Sequence, residues 1–254
     1  MDLGLKGRKA LVTAASKGLG RACAEALIAE GADAFISSRD PSSIETTAKQ
    51  IRAAGWMAAD VSRPGEPEAL VEAAVACLSG LDVLVVNAGG PAPGTFQSTP
   101  LEQWELAFHL TLMSAVRLMT ASLPHLKRSD QGRVVFITSI SVRQPIPSIV
   151  LSNAMRSAVT SLAKTLSGEL APDRITINCL APNNILTDRT RSLAIAAGQD
   201  PDEAIRRGAA QAPMGRLGDP SEFGAACAFL CSKQAGYITG QTLGVDGGTL
   251  VGVY

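Results

Sequence analysis

Thr13-Ala14-Ala15-Ser16-Lys17-Gly18-Leu19-Gly20 is the stretch of this chain best suited to chemistry, and the chemistry is anion binding. It follows the run Lys9-Ala10-Leu11-Val12 and leads into Arg21-Ala22-Cys23-Ala24-Glu25-Ala26-Leu27. The pattern reads as a short buried strand, a small-residue turn and an Ala-rich helix. Gly18 and Gly20 fall where the helix begins, so backbone N–H groups can face an anion with no Cβ in the way. That is the physical logic of a dinucleotide-binding first turn.

The elements that must hold this turn follow in regular alternation. Ala32–Ser37 reads as a second strand, left through Ser38-Arg39-Asp40-Pro41; Pro41 suits the first turn of a helix with Ile44, Ala48 and Ile51 on its apolar face. Gly55–Asp60 is a third strand, Pro64–Ser79 a helix, and Leu81–Asn87 a fourth strand closed by Ala88-Gly89-Gly90. Its unbroken apolar run suits a parallel sheet covered on both faces. After Pro91-Ala92-Pro93-Gly94 comes a long helical region, Leu101 to Leu126. Arg133–Ser139 is a fifth strand, Ile149–Leu170 a helix and Arg174–Ala181 a sixth strand. A polar stretch containing short helices, about 183–217, has the length of a substrate lid. Ser221–Leu230 is a last helix and Thr242–Val245 a last strand. This rhythm implies a single α/β domain over 1–254, a doubly wound parallel sheet of about seven strands.

Composition narrows the partners. Lysine plus arginine equals aspartate plus glutamate, 23 each, so no global field favours nucleic acid or an anionic membrane. The N-terminus is charged and shows no signal segment, and no run is expected to span a membrane, so the cytoplasm is the expected location. The five cysteines form no CxxC pair. Cys227 and Cys231, one helical turn apart, read as packing. With two histidines in the chain, no metal site is expected.

With those residues in place, the chain resembles the short-chain dehydrogenase/reductase family over nearly its whole length. Thr13–Gly20 is similar to the family's TGxxxGxG turn, with Ala14 in place of the first glycine. Asp60-Val61 looks like the pair that holds the adenine, and Asn87-Ala88-Gly89 like the NAG that borders the cofactor. Pro182 to Thr187 resembles PGxxxT, which contacts the nicotinamide amide, with Asn183 replacing its glycine; Ile185 and Thr187 fall in that segment. Ile238-Thr239-Gly240-Gln241 and Val245-Asp246-Gly247-Gly248 resemble the C-terminal signature. The resemblance implies a Rossmann-type fold, a nicotinamide cofactor, a small-molecule substrate and a homotetramer. Charge then chooses the cofactor. An acid ending the second strand would bind a ribose 2′-hydroxyl, whereas an arginine accommodates a 2′-phosphate. Ser38-Arg39 at that corner, with Lys17 nearby, points to NADP(H), against which Asp40 stands as a competing charge.

The departure lies in the chemistry. The family works with a serine, a YxxxK tyrosine and lysine, and an asparagine on the preceding long helix. Alignment of the motifs places these positions at Ser139, Ser152, Arg156 and Thr111. The serine is kept and the other three are replaced; the chain's two tyrosines, Tyr237 and Tyr254, lie far along the sequence. A tyrosine hydroxyl extends roughly 4 Å farther than a serine hydroxyl, so Ser152 should not reach the same carbonyl. An aliphatic hydroxyl is a poor acid, and arginine keeps its charge and cannot shuttle protons. Arg156 could instead bind cofactor ribose, a carboxylate or a phosphate, which would also satisfy its buried charge. Ser141, Gln144, Asn153, Asn183 and Asn184 are further polar candidates, while His109, two positions from Thr111, should point elsewhere. The expectation is an NADP(H)-dependent oxidoreductase with an altered proton path. A lyase, isomerase or C–C bond hydrolase on the same scaffold, and an inactive cofactor-binding protein, are the alternatives.

Overall fold

The structure is a computed structural model describing residues 2–196 and 198–253. Seven strands form one parallel sheet in the order β3-β2-β1-β4-β5-β6-β7: β1 Lys9–Val12, β2 Asp33–Ser38, β3 Gly55–Ala58, β4 Val83–Val86, β5 Arg133–Ile137, β6 Thr176–Pro182 and β7 Thr242–Val245. This is the doubly wound single domain expected from the alternation.

Side-chain alternation explains why the strands read as unbroken apolar runs. Ala10, Val12, Val83 and Val85 point into a layer built on α1 (Gly18–Ala29), α2 (Pro41–Ile51) and α9 (Pro220–Cys231). Leu11, Leu84 and Val86 point into the opposite layer, on α3 (Glu66–Leu78), α5 (Ser114–Leu126) and α6 (Val150–Glu169). The central strands β1 and β4 therefore need apolar residues at both parities. In the first layer α1 and α9 touch so closely that a Cβ on Gly224 would stand 2.4 Å from the Ala22 carbonyl oxygen. Cys23, Cys227 and Cys231 fill the same seam, all fully buried, so this pair of cysteines packs as expected.

Several boundaries differ from the sequence reading. Strand β2 runs one residue later and takes in Ser38, while β3 ends at Ala58. The following helix starts only at Glu66, behind Gly65 at φ +87°. Strand β6 begins at Thr176 because Arg174 turns left-handed, at φ +60°.

The long helical region is correct in extent but not uniform. It runs as α4 (Leu101–Ala107), a π-helical turn at Phe108–Met113 and α5. Contrary to the expectation that no run spans a membrane, Leu101–Leu126 is by length and composition apolar enough to do so, an 18-residue window within it reaching a mean hydropathy of 1.4. The reason is two apolar sides. Ala107, Ala115, Leu118, Met119 and Leu126 are buried in the molecule, whereas Leu101, Leu106 and Phe108 are exposed.

Candidate active site

The site begins where β1 and β4 end side by side. The Thr13 hydroxyl donates to the Asn87 carbonyl at 2.6 Å and accepts the Asn87 N–H at 2.9 Å. The Asn87 carboxamide donates to the Ala14 carbonyl at 3.2 Å. Ala14 takes a left-handed φ of +48°. A side chain at Gly20 would meet the Ala14 oxygen at 2.4 Å and Asn87 Nδ2 at 2.7 Å. Helix α1 opens here with no side-chain cap from Lys17 and no acidic residue in its first turn. Uncapped N–H groups and the positive end of the helix dipole make a cradle for an anion, so the residues present fit a dinucleotide phosphate.

The second corner follows β2. Ser38 is buried and Arg39 exposed. Asp40, the competing charge, caps α2: its Oδ1 accepts from the Ser43 N–H at 2.6 Å and the Ser42 hydroxyl at 2.9 Å. Those bonds, Ser43 first, hold its carboxyl below the usual range. Thr47 of α2 donates to the Ser16 carbonyl at 2.8 Å and fastens this corner to the first turn. Asp60 accepts from the Ser62 N–H and hydroxyl at 3.1 and 2.7 Å, and its own N–H donates to Glu66. Burial alone would raise the Asp60 pKa, but the Ser62 bonds and the charges of Arg39 and Arg63 outweigh it and hold the carboxyl low. Val61 is buried beside it.

At the other end Ser139 leaves β5 as the N-cap of a short 3-10 turn, Ile140–Val142, its Oγ accepting the Ser141 N–H at 3.1 Å. Arg156 is buried on α6 and donates through Nη1 to the Ile137 carbonyl at 2.8 Å. A backbone carbonyl two residues before Ser139 thus takes one N–H of this cation from within the protein. Ser152 is half-buried one turn earlier on the same helix. Thr111 lies in the π-turn, buried, and its hydroxyl has no partner among the described residues; the same holds for the Ser141 hydroxyl. His109 is exposed, its ring 5.4 Å from that of Phe108, away from Thr111 as expected. Neither the π-turn nor the Thr47, Ser62 and Glu66 contacts were read from sequence; only the buried position of Thr47 on the α2 apolar face hinted at one of them.

The segment after β6 packs back against the first turn. Ile185 is buried, and Thr187 stands over the first turn, its Cγ2 3.7 Å from where a Cβ of Gly18 would be. Thr190 ties the two together, donating to the Ile185 carbonyl at 2.9 Å and sharing a 3.3 Å contact with the Thr187 hydroxyl. Two helices follow, α7 (Asp188–Ala196) and α8 (Pro201–Gln211). The ends of the segment meet where Leu186 N–H donates to the Gly218 carbonyl and Gly218 N–H to the Asn184 carbonyl, both 2.9 Å. Arg216 then forks onto both oxygens of Glu222, at 2.7 and 2.6 Å, and Glu222 accepts the Asp219 N–H in the capping box of α9.

A family model described as enoyl-(acyl carrier protein) reductase matches residues 13–249. The 3-oxoacyl-(acyl carrier protein) reductase FabG of Vibrio cholerae is 34% identical over 247 residues, 97% of this chain and 98% of that protein. Human dehydrogenase/reductase SDR family member 4 is 32% identical over 250 residues, 96% of this chain and 88% of its own. Among solved structures, L-sorbose reductase from Gluconobacter frateurii, complexed with NADPH and L-sorbose, superimposes with a TM-score of 0.93 at 31% identity, covering 100% of both chains.

The Arg216–Glu222 fork generates a pH prediction. Its hydrogen bonds lower the Glu222 pKa from 4.5 to about 2. A depressed carboxyl contributes stability that is fully present above its unfolded value and is lost as pH falls through the folded one. Melting temperature measured from pH 5 to pH 2 should therefore fall more steeply for the wild type than for Glu222→Gln, the two curves converging near pH 2. Parallel curves would show that the fork does not couple to folding.

Proposed function

The chain belongs to the short-chain dehydrogenase/reductase family, and we propose that it is an NADP(H)-dependent oxidoreductase with a non-standard active site, acting on a small carbonyl, hydroxyl or enone compound. The observation that carries the reading is the pairing of an uncapped α1 N-terminus with a β2 corner that offers Arg39, while Asp40 is committed to capping α2. The NADPH named for the L-sorbose reductase complex supports the same choice.

In this reading Thr13, Ala14, Ser16, Lys17, Gly18, Leu19 and Gly20 form the phosphate cradle. Ser38 and Arg39 take the 2′-phosphate, Asp60 and Val61 border the adenine, and Asn87, Ala88 and Gly89 floor the cleft. Ile185 and Thr187 hold the nicotinamide end, with the segment 183–217 as the cover over the substrate. The cofactor, when bound, supplies or accepts hydride. Ser139 accepts the Ser141 N–H, which leaves its own O–H to donate toward a substrate oxygen. Arg156 places a fixed positive charge at the foot of this site, where it stabilises negative charge developing on that oxygen. Ser152 is too short to act as the family's tyrosine does, Thr111 lends an unpaired hydroxyl, and the proton comes from water. The exposed apolar side of α4 and its neighbours suits burial against further copies of the chain, giving a closed homotetramer.

Three outcomes test this. Arg39→Ala should weaken NADPH binding by roughly 1.5–3 kcal/mol, the worth of a charge-assisted pair, and leave NADH binding unchanged; equal wild-type affinity for both nucleotides by titration would remove the basis for the cofactor choice. Arg156→Ala and Arg156→Lys should both lower kcat/KM by about 100-fold or more, because a point charge does not replace a planar fork, while Ser152→Ala changes it little. Rapid reduction of simple ketones by an Arg156→Ala enzyme would refute that assignment. Light scattering should give four times the 26.3 kDa chain mass, and a monomer at micromolar concentration would contradict the assembly.

A further inference from the structure

We infer that Asn153 is a positioning residue that sets the substrate side of the cleft by locking the arm between Ser139 and α6. The inference rests on the reading that substrate binds beside Ser139. The arm contains Pro145-Ile146-Pro147, where the prolines carry no N–H, so Ile146 holds the only backbone donor of the three. Asn153 takes both polar groups of that residue: its Nδ2 donates to the Ile146 carbonyl at 2.9 Å, and its Oδ1 accepts the Ile146 N–H at 3.4 Å. One side-chain amide thus serves as the strand neighbour this arm lacks.

A second fastening lies a few residues on. Ser148 adopts a left-handed φ of +66°, costly for a residue with a Cβ, and its carbonyl accepts the Gly94 N–H at 2.6 Å. The Val150 N–H returns a bond to the Gly94 carbonyl at 3.1 Å. Gly94 belongs to the loop after β4, and a Cβ there would sit 2.7 Å from Thr99 Oγ1. The arm is therefore pinned to its own helix by Asn153 and to the opposite loop by Gly94. Strain at Ser148 persists because both pins determine the path between them. Asn153 adjoins Ser152 on the first turns of α6, so the pin and the site share one rigid element. Asparagine suits the task because it donates and accepts at once; aspartate would face the Ile146 carbonyl with a second acceptor.

Such a residue should affect substrate affinity without touching the chemistry or the cofactor corner, which lies at β1 and β2. The test uses the full chain with NADPH and two probes, 2-cyclohexenone and ethyl acetoacetate, alongside amide hydrogen exchange and NADPH titration. Asn153→Ala should speed exchange at Ile146 at least tenfold and raise KM about tenfold, with kcat and the NADPH Kd within twofold of wild type. Asn153→Asp, a near-isosteric change that keeps an acceptor for the Ile146 N–H but sets a second acceptor against the Ile146 carbonyl, should raise KM in the same direction and guards against a folding defect in the first variant. Unchanged Ile146 exchange in Asn153→Ala would overturn the proposal. So would faster exchange with unchanged KM, or a KM rise accompanied by an equal loss of NADPH affinity. If wild type reduces neither probe, the oxidoreductase reading fails on these substrates, and the exchange measurement still decides whether Asn153 holds the arm.

Discussion

The structure depends on how β1 and β4 are joined at their carboxyl ends. Strand order reverses between these neighbours, and the crevice that opens there is where open α/β sheets take ligands. A crevice is a weakness unless something spans it. Thr13 and Asn87 do so with reciprocal hydrogen bonds, one hydroxyl both giving and receiving. Because Thr13 is fully buried, either bond lost would leave an unpaired polar group in the interior. The Asn87 side chain then reaches on to Ala14, so the same residue that closes the sheet also shapes the turn at the head of α1.

That turn stores strain in return for an open helix end. Ala14 sits at a φ that favours glycine, and Gly20 has no room for any side chain against Ala14 and Asn87. A serine or aspartate cap at Lys17 would relieve the orphan N–H groups and stabilise α1 on its own terms. It would also occupy the groups that face the crevice. Helices α2, α8 and α9 elsewhere in the chain carry aspartate caps, at Asp40, Asp200 and Asp219. Helices α3 and α6 also begin without a side-chain cap, so what sets α1 apart is the crevice that its bare N-terminus faces.

Much of this was legible from residue types. The parallel sheet could be read because its central strands must be apolar at both parities, and the first turn because glycines at a helix start have few other uses. Asp40 carries its signal in the sequence as well: Asp-Pro-Ser-Ser is an N-cap with proline at N1, which commits the carboxylate to α2 and not to a ribose. The hydropathy of Leu101–Leu126 was visible too, but its meaning depends on a second apolar side that no periodicity assigns to a partner. The π-turn around Thr111 and the bond from Arg156 to Ile137 were out of reach. Each joins residues through backbone geometry, and side-chain patterns do not record which carbonyl a distant helix will approach.

The Arg156 contact bears most on chemistry. A buried guanidinium served only by ligands would cost several kcal/mol whenever the cleft emptied, and α6 would resist packing around it. The Ile137 carbonyl meets part of that demand from within the protein. The charge is thereby part of the fold before any ligand arrives, and it is tied to the strand end from which Ser139 projects. A tyrosine–lysine pair in the same place works by moving a proton, which requires a weak acid and an amine that perturbs it. A serine–arginine pair cannot do this, since one group is too weak an acid and the other never gives its proton up. What it can do is hold positive charge and a hydroxyl donor toward an oxygen as that oxygen becomes negative. On the proposed reading the family's hydride chemistry is kept while its acid is exchanged for an electrostatic clamp, and the substrates such a clamp favours are those whose oxygen can carry the charge until water delivers the proton.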